Sequence, residues 1–140
     1  IENWYRHSNL TLLFTHMGES MATVLIVDDS PTEMHQLVGL LEKNGYTVLA
    51  AESGERGVTI AKSEQPDAIL MDIVLPGLNG FQATRQLNKA RETEHIPVVM
   101  VTTKDQETDK VWGMRQGAKA YLTKPVSEKS LIDVLKEVIG

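Results

Sequence analysis

The stretch Thr23-Val24-Leu25-Ile26-Val27-Asp28-Asp29-Ser30-Pro31 decides the fold. Its first five residues are a short apolar run with no polar alternation, the mark of a strand buried on both faces. Asp28-Asp29-Ser30-Pro31 then stops the run: Ser30 suits a helix N-cap, and Pro31 suits the first helical position, where its missing N–H costs nothing. Met34, Leu37, Val38, Leu40 and Leu41 follow at helical spacing, and Asn44-Gly45 is where that helix is expected to end.

The same unit recurs outward from this point. Strands are expected at Tyr46–Ala51, Ala68–Met71, Val98–Thr102 and Ala120–Leu122. Helices are expected from about Gly54 to Glu64, Gly80 to Arg91, Asp105 to Gln116 and Glu128 to Ile139. Five wholly apolar strands alternating with five helices predict an α/β fold, a doubly wound parallel sheet covered on both faces with right-handed crossovers.

Composition narrows the function classes. At 140 residues, 41% apolar and 24% charged, the chain suits one globular domain. With no cysteine, disulfides and zinc–thiolate sites are excluded, and a cytoplasmic location is expected. A net charge of −5 argues against a nucleic-acid partner. Nothing approaches the roughly 20 consecutive apolar residues of a membrane span.

Residues 1–20 differ from the rest. They hold Trp4, Tyr5 and Phe14 among the chain's few aromatics and two of its four histidines, His7 and His16. The segment lacks the pattern of a signal peptide. It is read as an upstream extension, vector-derived sequence or an alternative start before a domain at 21–140, with a short aromatic docking peptide as the rival reading.

In an open α/β sheet, ligands bind at the carboxyl ends of the strands near the reversal of strand order. Here the first strand ends in Asp28-Asp29, the third in Asp72, the fourth in Thr102-Thr103, and the fifth leads to Lys124-Pro125. Taken singly, Asp28 or Asp29 is an ordinary helix cap, Thr102 a satisfied strand-end hydroxyl and Lys124 a solvated lysine. Asp72 is harder to dismiss, because it stands between Ile69-Leu70-Met71 and Ile73-Val74-Leu75, where a carboxylate needs a partner. Three carboxylates brought within a few ångströms repel by several kcal/mol per pair at an effective dielectric of about 20, and so call for a cation. An all-oxygen set suits Mg²⁺ or Mn²⁺ rather than zinc. A dication with a lysine and a hydroxyl opposite is equipped for phosphoryl transfer, and Asp72 is the natural nucleophile, giving an acyl phosphate.

These five positions, in this order on this pattern, resemble the receiver domain of two-component response regulators over residues 22–139. The resemblance implies the flavodoxin-like, CheY-like sheet order 2-1-3-4-5. It implies that Asp72 is the phosphoacceptor, that Asp29 binds Mg²⁺ directly and Asp28 through water, and that Val74 supplies its backbone carbonyl to the metal. Thr102 and Lys124 would contact the phosphoryl group, the Lys124-Pro125 bond would be cis, and Tyr121 would be the switch aromatic. The implied partners are a chemotaxis-type sensor histidine kinase and a downstream protein met by the face of the fourth helix, fifth strand and fifth helix, the receiver being monomeric or dimerising when phosphorylated.

The runs VDDSPTEMHQL, LMDIVLPGLNGFQATRQL and IPVVMVTTKDQETDKVWGMRQGAKAYLTKPV are more specifically similar to the stand-alone receivers of the chemosensory system controlling type IV pilus twitching motility. Other readings are a receiver of another chemotaxis-like pathway or a phosphate sink. The flagellar chemotaxis regulator has a polar amide where Val74 stands and an acid where Lys104 stands, so neither its phosphoryl lifetime nor its motor-switch target is carried over. Lys104, Lys110, Trp112 and Lys119 make a different output face, with Trp112 read as a core anchor of its helix and a partner hot spot as the rival reading. Ile69-Leu70-Met71-Asp72 also resembles the nucleophile strand of haloacid-dehalogenase phosphatases. Those enzymes need an acid where Val74 stands, and the expectation is therefore a signalling phosphoacceptor rather than an enzyme.

Overall fold

A computed structural model describes residues 22–140; the reading of residues 1–20 falls outside them. The elements run β1 Thr23–Val27, α1 Pro31–Lys43, β2 Thr47–Ala51, α2 Gly54–Glu64, β3 Ala68–Met71, α3 Gly80–Lys89, β4 Val98–Thr102, α4 Glu107–Arg115, β5 Ala120–Thr123 and α5 Glu128–Ile139. All four strand pairings are parallel and the sheet order is β2-β1-β3-β4-β5, as expected.

Alternation along the strands divides the core. Val24 and Ile26 of β1 face the side covered by α1 and α5, where they pack with Leu37, Leu41, Leu131 and Leu135. Leu25 and Val27 face the opposite side, with Val58, Ala61, Ala83 and Leu87 of α2 and α3. Both faces of β1 and β3 are therefore dry, which is why their sequences show no polar alternation. Each fully buried side chain of this kind contributes about 1.5–3 kcal/mol.

Helix starts follow local chemistry. The Ser30 Oγ accepts the Glu33 N–H at 3.3 Å with Pro31 at the first helical position. Asn79 and Gln82 cap α3 reciprocally, at 2.9 and 3.0 Å. The Gln106 N–H donates to Asp109 Oδ2 at 3.2 Å, so α4 begins at Glu107 rather than Asp105. At the other end of α1, Gly45 takes φ +87°, a conformation that favours glycine.

The core-anchor reading of Trp112 is corrected. Trp112 is 48% exposed and anchors no core; Val111 and Met114 are exposed beside it. The helix meets the sheet through Gly113, its single buried residue, with the Tyr121 ring and Met100 packed close against it, 3.3 and 3.5 Å from where a Cβ would stand. Contact through a glycine turns the bulky neighbours outward.

Candidate functional site

The chain leaves β1 for a helix on one face of the sheet and leaves β3 for a helix on the other, so the carboxyl ends of these neighbouring strands border a crevice. The backbone fixes two carboxylates there. The Asp28 N–H donates to Ala51 O and the Asp72 N–H to Val27 O, both at 3.0 Å, extending the sheet by one residue beyond each strand. Gly80 seats the other side of the Asp72 turn: its N–H donates to Ile73 O at 3.0 Å, and a Cβ there would run into the Asp72 carbonyl.

Asp28, Asp29 and Asp72 each offer a carboxylate oxygen, and these oxygens lie within 4.8 Å of one another. Asp28 and Asp72 are buried, whereas Asp29 is exposed. Hard oxygen donors from two buried acids and one open to solvent fit Mg²⁺ or Mn²⁺. Asp28 Oδ1 accepts the Ser30 N–H at 2.9 Å, and Asp72 Oδ1 accepts a long 3.4 Å bond from the Val74 N–H. Val74, two residues on, is 53% exposed.

Lys124 supplies the charge compensation. Its side chain is 9% exposed, and its ammonium donates to Asp28 Oδ2 at 2.7 Å, Asp72 Oδ2 at 3.1 Å and Glu33 Oε2 at 2.6 Å. Burial alone would lower its pKa, but the bonds to Asp28 and Glu33 and the charge of Asp72 outweigh burial and raise it. Burial pushes Asp28 up, and the bonds from Lys124 and the Ser30 N–H offset only part of that rise. The Lys124-Pro125 peptide is cis.

Thr102 sits buried at the end of β4, outside hydrogen-bond contact with the carboxylates; its Oγ1 accepts the Lys104 N–H at 3.4 Å and its carbonyl accepts the Lys124 N–H at 2.8 Å. The Tyr121 hydroxyl donates to the carbonyl of the same Lys104 at 2.6 Å. One residue's backbone thus joins the two hydroxyls. Burial, followed by the charges of Asp109, Asp105 and Asp72, pushes the Tyr121 phenol up to about 12.

Glu33 is the residue the sequence reading missed. Ser30-Pro31-Thr32-Glu33 has the S-x-x-E spacing of a capping box, in which the acid would return to the Ser30 N–H. Asp28 already holds that N–H, and the Glu33 carboxylate turns to Lys124 instead.

The family model described as the response regulator receiver domain matches residues 24–136. Protein PilH of Pseudomonas aeruginosa is 65% identical over 120 residues, 86% of this chain and 99% of PilH. Among solved structures, the receiver domain of sensor histidine kinase PA1611 from P. aeruginosa, determined with a magnesium ion in its active site cleft, is 30% identical with a TM-score of 0.81. The alignment covers 86% of this chain and 99% of that one. Chemotaxis protein CheY4 of Vibrio cholerae is 29% identical with a TM-score of 0.80, over 85% of this chain and 99% of its own.

Proposed function

The chain belongs to the response regulator receiver domain family, and from that membership we propose that Asp72 accepts a phosphoryl group from a sensor histidine kinase in a Mg²⁺-dependent step. The observation that carries this reading is the convergence of Asp28, Asp29 and Asp72 beside one buried ammonium at the carboxyl edge of the sheet. Asp28, Asp29 and Asp72, with the Val74 backbone carbonyl, would hold Mg²⁺. Bound there, the ion would offset carboxylate repulsion and polarise the phosphoryl oxygens.

A carboxylate oxygen of Asp72 attacks phosphorus in line as the N–P bond of the donor phosphohistidine breaks. The bond's electron pair stays on the imidazole nitrogen, which is reprotonated from solvent. Lys124 and the Thr102 hydroxyl then bind the phosphoryl oxygens. Later, water attacks phosphorus, and the aspartyl C–O–P linkage opens at the P–O bond to return the carboxylate and inorganic phosphate. The modification adds about −1.5 to −2 charge. Recruiting Thr102 pulls on Lys104, and through Lys104 on Tyr121, so the event reaches the face of α4, β5 and α5. The exposed Val111, Trp112 and Met114 beside that face suit a protein target.

Similarity to PilH, together with the sequence resemblance to twitching-motility receivers, supports a place in type IV pilus control downstream of a chemotaxis-type kinase in the cytoplasm. Among the described residues, no helix is long and apolar enough to cross a membrane. Incubation with acetyl phosphate or kinase, with and without Mg²⁺, followed by a phosphoprotein gel, tests the central step. Wild type is expected to take label only with Mg²⁺ and Asp72→Asn to take none. Equal labelling of Asp72→Asn would overturn the assignment.

A further inference from the structure

We propose that Glu33 is a competing counter-ion for Lys124, holding the ammonium until Asp72 is phosphorylated and then handing it to the phosphoryl group. The inference rests on the phosphoacceptor reading and adds a positioning residue that acts through Lys124.

An ammonium has three N–H donors. All three are spent, on Asp28, Asp72 and Glu33. A phosphoryl oxygen entering the site therefore gains a bond from Lys124 only if an existing acceptor gives one up. The three acceptors are not equally replaceable. Asp28 is 2% exposed and fastened by the Ser30 N–H, and Asp72 is the group that carries the new phosphate. Both also belong to the cluster that fits a dication, whereas Glu33 does not. The Glu33 side chain is 35% exposed on the first turn of α1, so water can solvate it once the ammonium leaves. Nothing else in the cap claims it, because Asp28 occupies the Ser30 N–H that a capping-box glutamate would take. Glu33 is the partner that Lys124 gives up at least cost.

The contact therefore sets how readily the phosphorylated state forms. Partly exposed ion pairs are worth up to about 1 kcal/mol, close to fivefold in an equilibrium. Glu33→Gln keeps the side chain's length but removes the charge that strengthens the bond. Glu33→Asp keeps the charge and, one methylene shorter, withdraws it from the 2.6 Å contact. The experiment measures the acetyl phosphate concentration giving half-maximal phosphorylation in Mg²⁺, with the Lys124 side-chain ¹⁵N signal followed by NMR. Both variants are expected to lower that concentration about fivefold. In both, the Lys124 signal of the unphosphorylated protein should already be displaced in the direction that phosphorylation moves it in wild type.

If Glu33→Gln lowers the concentration while Glu33→Asp matches wild type, the effect is the general field of a nearby charge and the handover is wrong. Unchanged or raised concentrations in both, or a Lys124 signal indifferent to either substitution, overturn it as well. If wild type itself takes no label, the phosphoacceptor reading fails and the handover falls with it; a labelled wild type with unaltered variants sinks the handover alone.

Discussion

Replacing Lys124 with methionine keeps an unbranched apolar stem, one atom shorter, and removes the charge together with its three N–H donors. In a chelator, Lys124→Met leaves Asp28 and Asp72, both buried, facing each other with no cation between them. Deleting one partner of a buried ion pair costs about 3–5 kcal/mol. The lower end applies, because Glu33 is open enough to be solvated and contributes little to the deficit. A loss of about 3 kcal/mol corresponds to a fall in Tm on the order of 10 °C for a domain of this size. The remedy distinguishes charge compensation from packing. Adding Mg²⁺ should narrow the deficit, since a ligand at a hundred times its Kd stabilises the folded state by about 2.7 kcal/mol, and the variant should bind Mg²⁺ more tightly than wild type, having no ammonium to displace. Adding Asp28→Asn to Lys124→Met should likewise recover most of the loss in chelator, because the buried repulsion is gone. Urea denaturation in EDTA and in millimolar Mg²⁺ provides the measurement. A deficit below about 0.5 kcal/mol in EDTA, within the range of an ordinary surface substitution, or one that Mg²⁺ fails to narrow, would refute the account of Lys124 as the site's resident cation.

Two further outcomes follow from the geometry. Gly80→Ala would drive a methyl into the Asp72 carbonyl and the Ile73 Cα, backbone atoms with no side-chain freedom to yield. It should cost about 3 kcal/mol or more and weaken Mg²⁺ binding, whereas Gly39→Ala on α1, with nothing within 4 Å of the added carbon, should stabilise by about 0.5–1 kcal/mol in the same denaturation series. Tyr121 should ionise at about 12 against an ordinary 10.0, an assignment that tyrosinate absorbance checks by its disappearance in Tyr121→Phe. Because the folded state holds the phenol's proton more tightly than the unfolded chain does, this group's contribution to stability is complete below pH 10 and is lost as pH rises from 10 towards 12.

The fold was legible because its strongest signal, strands dry on both faces, is written in uninterrupted runs such as Val24–Val27 and Ile69–Met71. What blurred was set by contacts the runs do not encode. Tyr46 extends the apolar pattern of β2 but lies just before it, where its N–H closes the end of α1 on Leu41 O at 3.0 Å instead of joining the ladder, and β2 begins at Thr47. On α4, the apolar residues Val111, Trp112 and Met114 suggest a core face, and only the packing of Tyr121 against Gly113 reveals that the helix docks by its smallest residue.

The placement of the acids was legible for a different reason. Strand ends are fixed by the sheet, so the rule about carboxyl edges converts sequence order directly into proximity for Asp28, Asp29, Asp72 and Lys124. Glu33 lay beyond that rule because it enters from the first turn of a helix, and its S-x-x-E spacing offered a sufficient local use for its charge. The competition was settled by Asp28, which satisfies the Ser30 N–H at 2.9 Å with one oxygen and Lys124 at 2.7 Å with the other. A single buried carboxylate thereby releases a second, partly exposed one to the ammonium. Local capping chemistry and long-range ion pairing are in this site one set of hydrogen bonds, and no window of sequence short enough to suggest the cap contains the lysine, 91 residues away, that reassigns it.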